Sequence, residues 1–282
     1  MRSRLRSTTG SRLRSTTGSR RSTTGAAMVG RQADYWFTVF RRTWRGSMIS
    51  SFLNPLLYVL AMGVLLGGFI EGDPDQLEGA TTYLAFIAPG LVAAQAMQTA
   101  VGETTYPVMG ALKWNRIYFG MYATPLRPLD IVNANLLFVA LRLVLTCGVF
   151  LLVLAPFGVF TSVGGVLAAW LASVLAGMAI GVPVYAYAVG ARNEWSFAMI
   201  FRLGVIPQFL FSGAFFPTGN LSPVMEALAK VTPLWHGVDL TRMFCLGTFE
   251  AGPAVVHLGY LVALIAVGHW VAVRRLTVRL VS

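Results

Sequence analysis

The stretch FLFSGAFFPTGNLSPVMEALAKVTPLWHGVDLTR, residues 209–242, interrupts a very apolar chain. It begins like the end of a membrane span and reaches a proline at Pro217. Two short segments follow, and each starts with a serine or threonine before a proline, at Pro223 and at Pro233. Such a residue at the N-cap with proline at the first helical position favours the start of a helix. The stretch therefore predicts that a span ends at Pro217 and that two short helices precede the next apolar run at Val255.

Composition places most of the chain in lipid. Of its 282 residues, 56% are hydrophobic and only 12% are charged, with a mean hydropathy of +0.66, whereas a soluble protein is about 25% charged. The apolar runs are continuous rather than alternating, which excludes a β-barrel. We expect an all-α polytopic membrane protein with six transmembrane helices, each about 20 residues long. They are predicted near residues 48–70, 81–102, 131–155, 164–190, 197–216 and 254–273.

Basic residues set the orientation of the spans. The formal net charge is +11, but seven arginines lie in residues 1–27 and most others flank apolar runs, so we do not expect nucleic acid as a partner. Cationic segments alternate along the chain, and the opposite loops hold only Lys230 and Arg242, with an acidic EGDPDQLEG. The positive-inside rule then predicts a multi-pass protein of the inner (plasma) membrane with both termini in the cytoplasm.

The N-terminal region divides in two before the membrane domain at residues 47–282. Residues 1–29 hold the repeat SRLRSTTG, which has too little apolar content to bury a core and predicts disorder. This tail is either a basic arm that contacts anionic lipid or a low-complexity extension ahead of a start at Met28. Residues 30–46 place aromatic and arginine side chains on opposite faces, as in a helix that lies in the membrane surface.

A cytoplasmic segment between spans two and three is too long for a plain turn. It reads ETTYPVMGALKWNRIYFGMYATPLRPLD, residues 103–130. Residues 111–122 predict one helix with Trp114, Tyr118 and Met121 along one side. That helix either docks a soluble partner or anchors the loop at the interface.

Several polar residues fall within or beside the spans. Arg142 lies mid-span, where an arginine costs about 2.5–3.5 kcal/mol and must face protein or water. It either meets an anionic headgroup of a substrate or pairs internally, for instance with Glu103 or Glu194. Asp239 and Arg242 are spaced to pair at i, i+3.

Other positions carry weaker signals. We expect His236, His257 and His269 to be interfacial, and neither the histidines nor the two cysteines predict a metal site. Small residues recur at four-residue spacing in the fourth span, which permits close helix packing within or between subunits. They are Ala172, Ala176, Gly177 and Gly181.

Two motifs carry a family resemblance. SGAFFPTGNLSPVMEALAKVTPLWHGVDLTR resembles the terminal signature of ABC-2 type transporter permeases, with its Gly-x-Phe-Phe-Pro, Asn-Leu-x-Pro, Pro-Leu, and then an Asp and an Arg. GETTYPVMGALKWNRIYFGMYATPLRPLDIVNANLL resembles the family's second shared region, which bears the coupling helix. The resemblance covers residues 31–282 and is strongest to permeases of nodulation lipo-oligosaccharide and daunorubicin-type exporters.

The resemblance implies a fold and a mechanism. The short helices at residues 217–242 would be a re-entrant outer pair capping a translocation path. The chain has no G-x-x-x-x-G-K-[ST] motif, so it would bind no cofactor, and ATP and Mg²⁺ would sit on a separate ATPase. Two ATPases would drive a homodimer or a paralogous pair that exports a drug or a lipid or glycolipid amphiphile. The implied ATPase-coupling residues are Glu103, Lys113, Trp114, Tyr118 and Met121, and the candidate path residues are Arg142, Phe215 and Phe216.

Two alternatives remain. A membrane-embedded enzyme would need clustered acids or histidines at one interface, and we identify no catalytic residue. A secondary transporter would need inverted repeats and more intramembrane ionisable groups. The two halves show no matching motifs.

Overall fold

In a computed structural model of the chain, the structure describes residues 53, 56–61 and 77–281. Within these residues all regular secondary structure is helical. The tail at 1–29, the surface helix at 30–46 and most of the first span lie outside the described residues. The described residues of that span, 53 and 56–61, are helical.

The helices follow one another with short connections. Residues Gly110–Trp114 and Ile200–Val205 each form a π-helical turn. The helices are α1 Tyr83–Thr104, α2 Tyr106–Met109, α3 Ile117–Tyr122, α4 Pro128–Leu154, α5 Val163–Gly190, α6 Trp195–Met199, α7 Ile206–Phe211, α8 Pro223–Val231, α9 Pro233–Leu246 and α10 Ala251–Val281.

Four of the described helical stretches are long and apolar enough to cross a membrane. They correspond to the runs predicted near 81–102, 131–155, 164–190 and 254–273. The second and fourth extend beyond both predicted limits, the first extends beyond its predicted end, and the third begins one residue early. The first is formed by α1, α2 and the π-helical turn and is 32 residues long. The four stretches are Tyr83–Trp114, Pro128–Phe157, Val163–Gly190 and Ala251–Val281.

The C-terminal limit predicted for the fifth apolar run, 197–216, is wrong. The apolar helix there spans Trp195–Phe211, so Pro217 does not terminate it. The chain leaves the helix at Ser212, and Gly213 adopts φ +82°, a left-handed conformation that favours glycine. The remaining SGAFFP residues form a turn and not a last helical turn.

Both short helices expected after this turn are present. α8 has Ser222 at its N-cap, and the Thr232 hydroxyl accepts a hydrogen bond from the backbone N–H of Trp235 to cap α9. Fourteen residues make α9 about 21 Å long, shorter than the hydrocarbon core of about 30 Å. Nevertheless α9 is integrated into the bundle, with Leu234 and Leu240 fully buried.

The bundle packs around α5, which contacts α1, α4, α9 and α10. Small residues make these contacts close. A Cβ placed on Gly237 of α9 would lie 2.4 Å from Cβ of Ala176, and one on Gly181 would lie 3.0 Å from Cβ of Ala100. The small residues of α5 therefore allow close packing within the subunit.

Gly237→Ala tests this packing. The added methyl group has no room against Ala176, so we expect overpacking to cost about 1–3 kcal/mol, which lowers the thermal midpoint by about 2–12 °C. The midpoint would be measured by heating the detergent-purified protein and following the monodisperse fraction. Gly259→Ala is the matched control, because a Cβ there has no neighbour within 4 Å. A midpoint equal in both variants would contradict the close approach of α5 and α9.

Candidate coupling segment and translocation path

The segment after α1 departs from the single helix predicted over residues 111–122. The π-helical turn ends at Trp114, and Arg116 has φ +49° before α3 begins. A left-handed residue cannot continue a right-handed helix. The prediction of one uninterrupted coupling helix is therefore wrong, and two short helical pieces meet at residues 115–116.

The break separates the side chains that were expected to share one face. Tyr118 is fully buried, and its hydroxyl accepts a hydrogen bond from the Tyr185 hydroxyl of α5 at 3.4 Å. Met121 is half-buried, whereas Lys113 and Trp114 are exposed, Trp114 by 53%. Tyr118 thus anchors the segment to the bundle, and Lys113 and Trp114 face outward.

Two aromatic side chains of α3, Phe119 and Tyr122, are also exposed. Lys113, Trp114, Phe119 and Tyr122 together are called the docking face below. The apolar pattern does not distinguish Phe119 or Tyr122, because their exposure depends on the break at Arg116.

Glu103 is the last residue but one of α1, and it lies within the longer helical stretch Tyr83–Trp114 and not at the end of that stretch. Arg142 of α4 donates a hydrogen bond from Nη2 to Oε1 of Glu103 at 2.6 Å, and both side chains are about one-fifth exposed. Of the two expected partners of Arg142, the structure therefore selects Glu103 over Glu194. Since α1, α2 and the π-helical turn run on to Trp114, about 16 Å further at 1.5 Å per residue, Glu103 is remote from the docking face.

The candidate path residues fall into two separate groups. The Tyr83 hydroxyl donates a hydrogen bond to the Phe215 carbonyl at 3.1 Å, and the Phe215 ring packs edge-on against Phe209 at 4.9 Å. Phe216 is the next residue in the same turn and is half-buried. Tyr83 and Glu103, the partner of Arg142, are twenty residues apart along α1, about 30 Å. Arg142 and the two phenylalanines thus lie near opposite ends of α1.

Arg242 of α9 holds the turn after α7 in place. Its side chain is only 5% exposed, and Nη1 donates to Oε2 of Glu78 at 2.5 Å. Nη2 donates to the Gly213 carbonyl at 2.6 Å and to the Phe86 carbonyl at 3.4 Å, and the guanidinium stacks on the Phe86 ring at 4.1 Å. One buried cation thereby joins α9, the start of α1, the turn before α1 and the turn after α7.

The expected ion pair between Asp239 and Arg242 is wrong. Asp239 instead contacts His257 of α10, with 2.8 Å between Oδ2 and Nε2. The other nitrogen, Nδ1 of His257, lies 2.7 Å from Nδ1 of His236, and the His236 ring stacks on Tyr260. These contacts join α9 to α10.

Two of the three histidines are buried within the bundle, and the interfacial depth expected for all three stays a prediction. His236 and His257 are nearly inaccessible, and His269 contacts Oδ1 of Asn133 at 2.7 Å. Sequence reasoning missed the pair because its members lie on two helices, 21 residues apart. The spacing of His236 and Asp239, three residues apart on one helix, was the one local sign that these histidines lie near a carboxylate.

An apolar cavity of about 260 Å³ separates the α6–α7 helix from α8. Its walls include Leu203, Phe211 and Leu228. Two of its lining residues, Gln208 and Ser212, each have a buried side-chain oxygen without a hydrogen-bond partner among the described residues. The accessible wall of the cavity is therefore mainly apolar, because these two oxygens are themselves buried.

Comparison with known proteins identifies the family. The family model described as ABC-2 type transporter matches residues 35–245. The chain belongs to the ABC-2 type transporter family. It is therefore an integral, multi-pass membrane protein and a transport subunit.

Named relatives extend the likeness over most of the chain. Nodulation protein J of Rhizobium leguminosarum bv. trifolii is 32% identical over 223 residues, which are 75% of this chain and 81% of the relative. Nodulation protein J of Rhizobium leguminosarum bv. viciae is 30% identical over 259 residues, 87% of this chain and 95% of the relative. The protein of that name from Bradyrhizobium diazoefficiens is 30% identical over 243 residues, covering 84% and 90%.

Arg242→Lys tests the junction in this ABC-2 permease. Lysine keeps the positive charge but cannot reach acceptors in three directions from one planar group. We expect the thermal midpoint to fall by about 5 °C or more, from a loss of about 2 kcal/mol of hydrogen bonding. Arg127→Lys, on an exposed arginine, is the control with the same chemical change. An unchanged midpoint for Arg242→Lys would contradict the role of the guanidinium in joining these elements.

The pair of Glu103 and Arg142 is tested by removing one charge or both. Glu103→Gln leaves the arginine of a spanning helix without its carboxylate, so we expect the yield of folded, monodisperse protein to fall several-fold. Glu103→Gln combined with Arg142→Gln removes both charges and should restore the yield. A double variant as poor as the single one would contradict a mainly electrostatic pairing.

Proposed function

We propose that this chain is the membrane-spanning subunit of an ATP-binding cassette exporter and that a separate ATPase drives it. The family match over residues 35–245 carries this proposal. The proposed subunit lies in the inner membrane. It crosses that membrane six times and has both termini in the cytoplasm. The alternation of basic segments along the sequence supports that orientation.

The docking face is the proposed contact with the ATPase. Tryptophan and tyrosine are frequent energetic centres of protein interfaces, and Trp114 and Tyr122 are exposed here beside Lys113. The face lies at the end of the 32-residue helical stretch Tyr83–Trp114. A displacement of the face would therefore move that helix, and the contact of Glu103 with Arg142 would pass the displacement to α4.

Two ATPases would bind two permease subunits, which are either two copies of this chain or a paralogous pair. ATP and Mg²⁺ would be held by the ATPases, and this chain would supply no cofactor site. ATP can shift the permease between two states only if its binding differs in free energy between them. Closure of the ATPase pair on ATP would supply that difference at the docking face.

The proposed cargo is an amphiphile, such as a drug, a lipid or a glycolipid. The cavity beside α7 supports this class because its apolar wall suits an alkyl or ring system. Phe215 and Phe216, in the turn that follows, and Arg142 in α4 remain candidate path residues, at opposite ends of the route.

Trp114→Ala with Phe119→Ala tests the docking face. Loss of two exposed aromatic side chains should weaken ATPase binding about tenfold or more without unfolding the permease. Co-purification of a P-loop ATPase in mild detergent, with ATPase activity of the complex, would be compared with the unaltered chain. Trp195→Ala is the control, because Trp195 is exposed by 86% but lies outside the docking face.

The double variant Trp114→Ala with Phe119→Ala and the control Trp195→Ala distinguish the possible outcomes. An ATPase that is retained by Trp195→Ala and lost from the double variant supports both the exporter and its docking face. An ATPase that binds the double variant normally would place the contact elsewhere. If the unaltered chain recovered no ATPase under any mild condition, the exporter proposal would fail in favour of a secondary transporter or an integral membrane enzyme.

A further inference from the structure

A cavity of about 910 Å³ lies where the end of α5, the start of α6 and the last turns of α10 meet. Four arginines line it, together with the polar side chains of Asn193 and Ser196. It is called the arginine cavity below, and its arginines are Arg192, Arg274, Arg275 and Arg279. Neither the coupling segment nor the translocation path includes these residues.

Two of the four arginines are already engaged with the protein. Arg275 donates to the Ala186 carbonyl at 3.3 Å, and Arg279 donates to the Ala191 carbonyl at 2.7 Å. One carbonyl lies in the last turns of α5 and the other belongs to Ala191 directly after it, where the helix dipole is negative and main-chain acceptors are unsatisfied. Arg275 and Arg279 therefore offset the charge of the helix terminus.

The other two arginines, Arg192 and Arg274, add positive charge that is not hydrogen-bonded to the end of α5. Among the described residues, Arg192 and Arg274 form no ion pair with a carboxylate and donate no hydrogen bond. The Arg274 guanidinium stacks on the Trp270 ring at 4.1 Å, which fixes its plane and leaves its N–H edge available. Such an edge matches two oxygens of a phosphate.

The surroundings of the cavity indicate its depth in the membrane. It lies at the ends of two helices long and apolar enough to span the bilayer, Val163–Gly190 and Ala251–Val281. Trp270 and Tyr187 are exposed beside it, and aromatic side chains of this kind concentrate at the membrane–water interface. Val278 lines the cavity and is 70% exposed, which gives it an apolar wall.

We propose that the arginine cavity binds the headgroup of an anionic glycerophospholipid. Arg192 and Arg274 hold the phosphate, Asn193 and Ser196 face the polar glycerol part, and the acyl chains lie along the exposed apolar side of α10. A cavity of about 910 Å³ accommodates a glycerophosphate headgroup. Basic pockets between spanning helices at the membrane surface are suited to such lipids. The proposal rests on the chain being a membrane protein and not on its ATPase partner.

The test measures lipid binding to the purified chain alone. Delipidated protein in detergent would be titrated with phosphatidylglycerol or with phosphatidylcholine, and bound lipid would be counted by native mass spectrometry. We expect one phosphatidylglycerol per chain in preference to phosphatidylcholine. Arg192→Gln with Arg274→Gln should weaken phosphatidylglycerol binding about tenfold or more, because it removes both cations that hold the phosphate.

A matched control separates the cavity from general charge. Arg116→Gln with Arg127→Gln removes the same charge from exposed arginines outside the cavity, and it should change binding by less than twofold. An equal loss in both double variants, or equal binding of the two lipids, would overturn the proposal.

Two further outcomes would show that the cavity binds something other than an anionic phospholipid. If millimolar glycerol 3-phosphate displaced phosphatidylglycerol completely, the cavity would be a site for small phosphates. If Arg192→Gln with Arg274→Gln lost the ATPase but kept the lipid, the cavity would contact an acidic protein surface. Because the lipid assay contains no ATPase, its failure and the failure of the exporter proposal are distinguishable.

Discussion

The buried guanidinium of Arg242 is the contact on which the arrangement of α1, α7 and α9 depends. A cation that is 5% exposed requires compensation for the water it has lost, and the carboxylate of Glu78 and the carbonyl of Gly213 supply it. Each acceptor comes from a different part of the chain. The turn after α7 therefore keeps its shape because the Gly213 carbonyl accepts a hydrogen bond from Arg242 of α9. α9 keeps its position because Arg242 also binds Glu78 in the turn before α1.

Close packing against α5 also fixes the position of α9, in addition to the contacts of Arg242. Arg242 fixes α9 at one end of the bundle, and Gly237 allows the α9 backbone to rest on Ala176. His257 and Tyr260 of α10 then contact His236 of α9. A helix too short to cross the bilayer is thus buried among long ones, because polar contacts satisfy its ends and small residues admit its backbone.

The sequence predicted the features that depend on neighbouring residues. Continuous apolar runs located the four long helices, and the proline after Ser222 or Thr232 located the starts of α8 and α9. Features set by distant contacts were not accessible: Arg242 bonds to Glu78, 164 residues away, and His236 meets His257 on another helix. The helix break at Arg116 and the early end of α7 at Ser212 depend on backbone conformations that the apolar pattern does not encode.

The contact of Gly237 with Ala176 also limits how the permease can deform. A slide of α9 along α5 by one residue, about 1.5 Å, would bring larger side chains into a space that holds only a glycine and a methyl group. The two helices therefore behave as a single stiff unit, and strain applied to one is borne by both. Any opening at this end of the bundle has to occur along another seam, such as the cavity that already separates α8 from the α6–α7 helix.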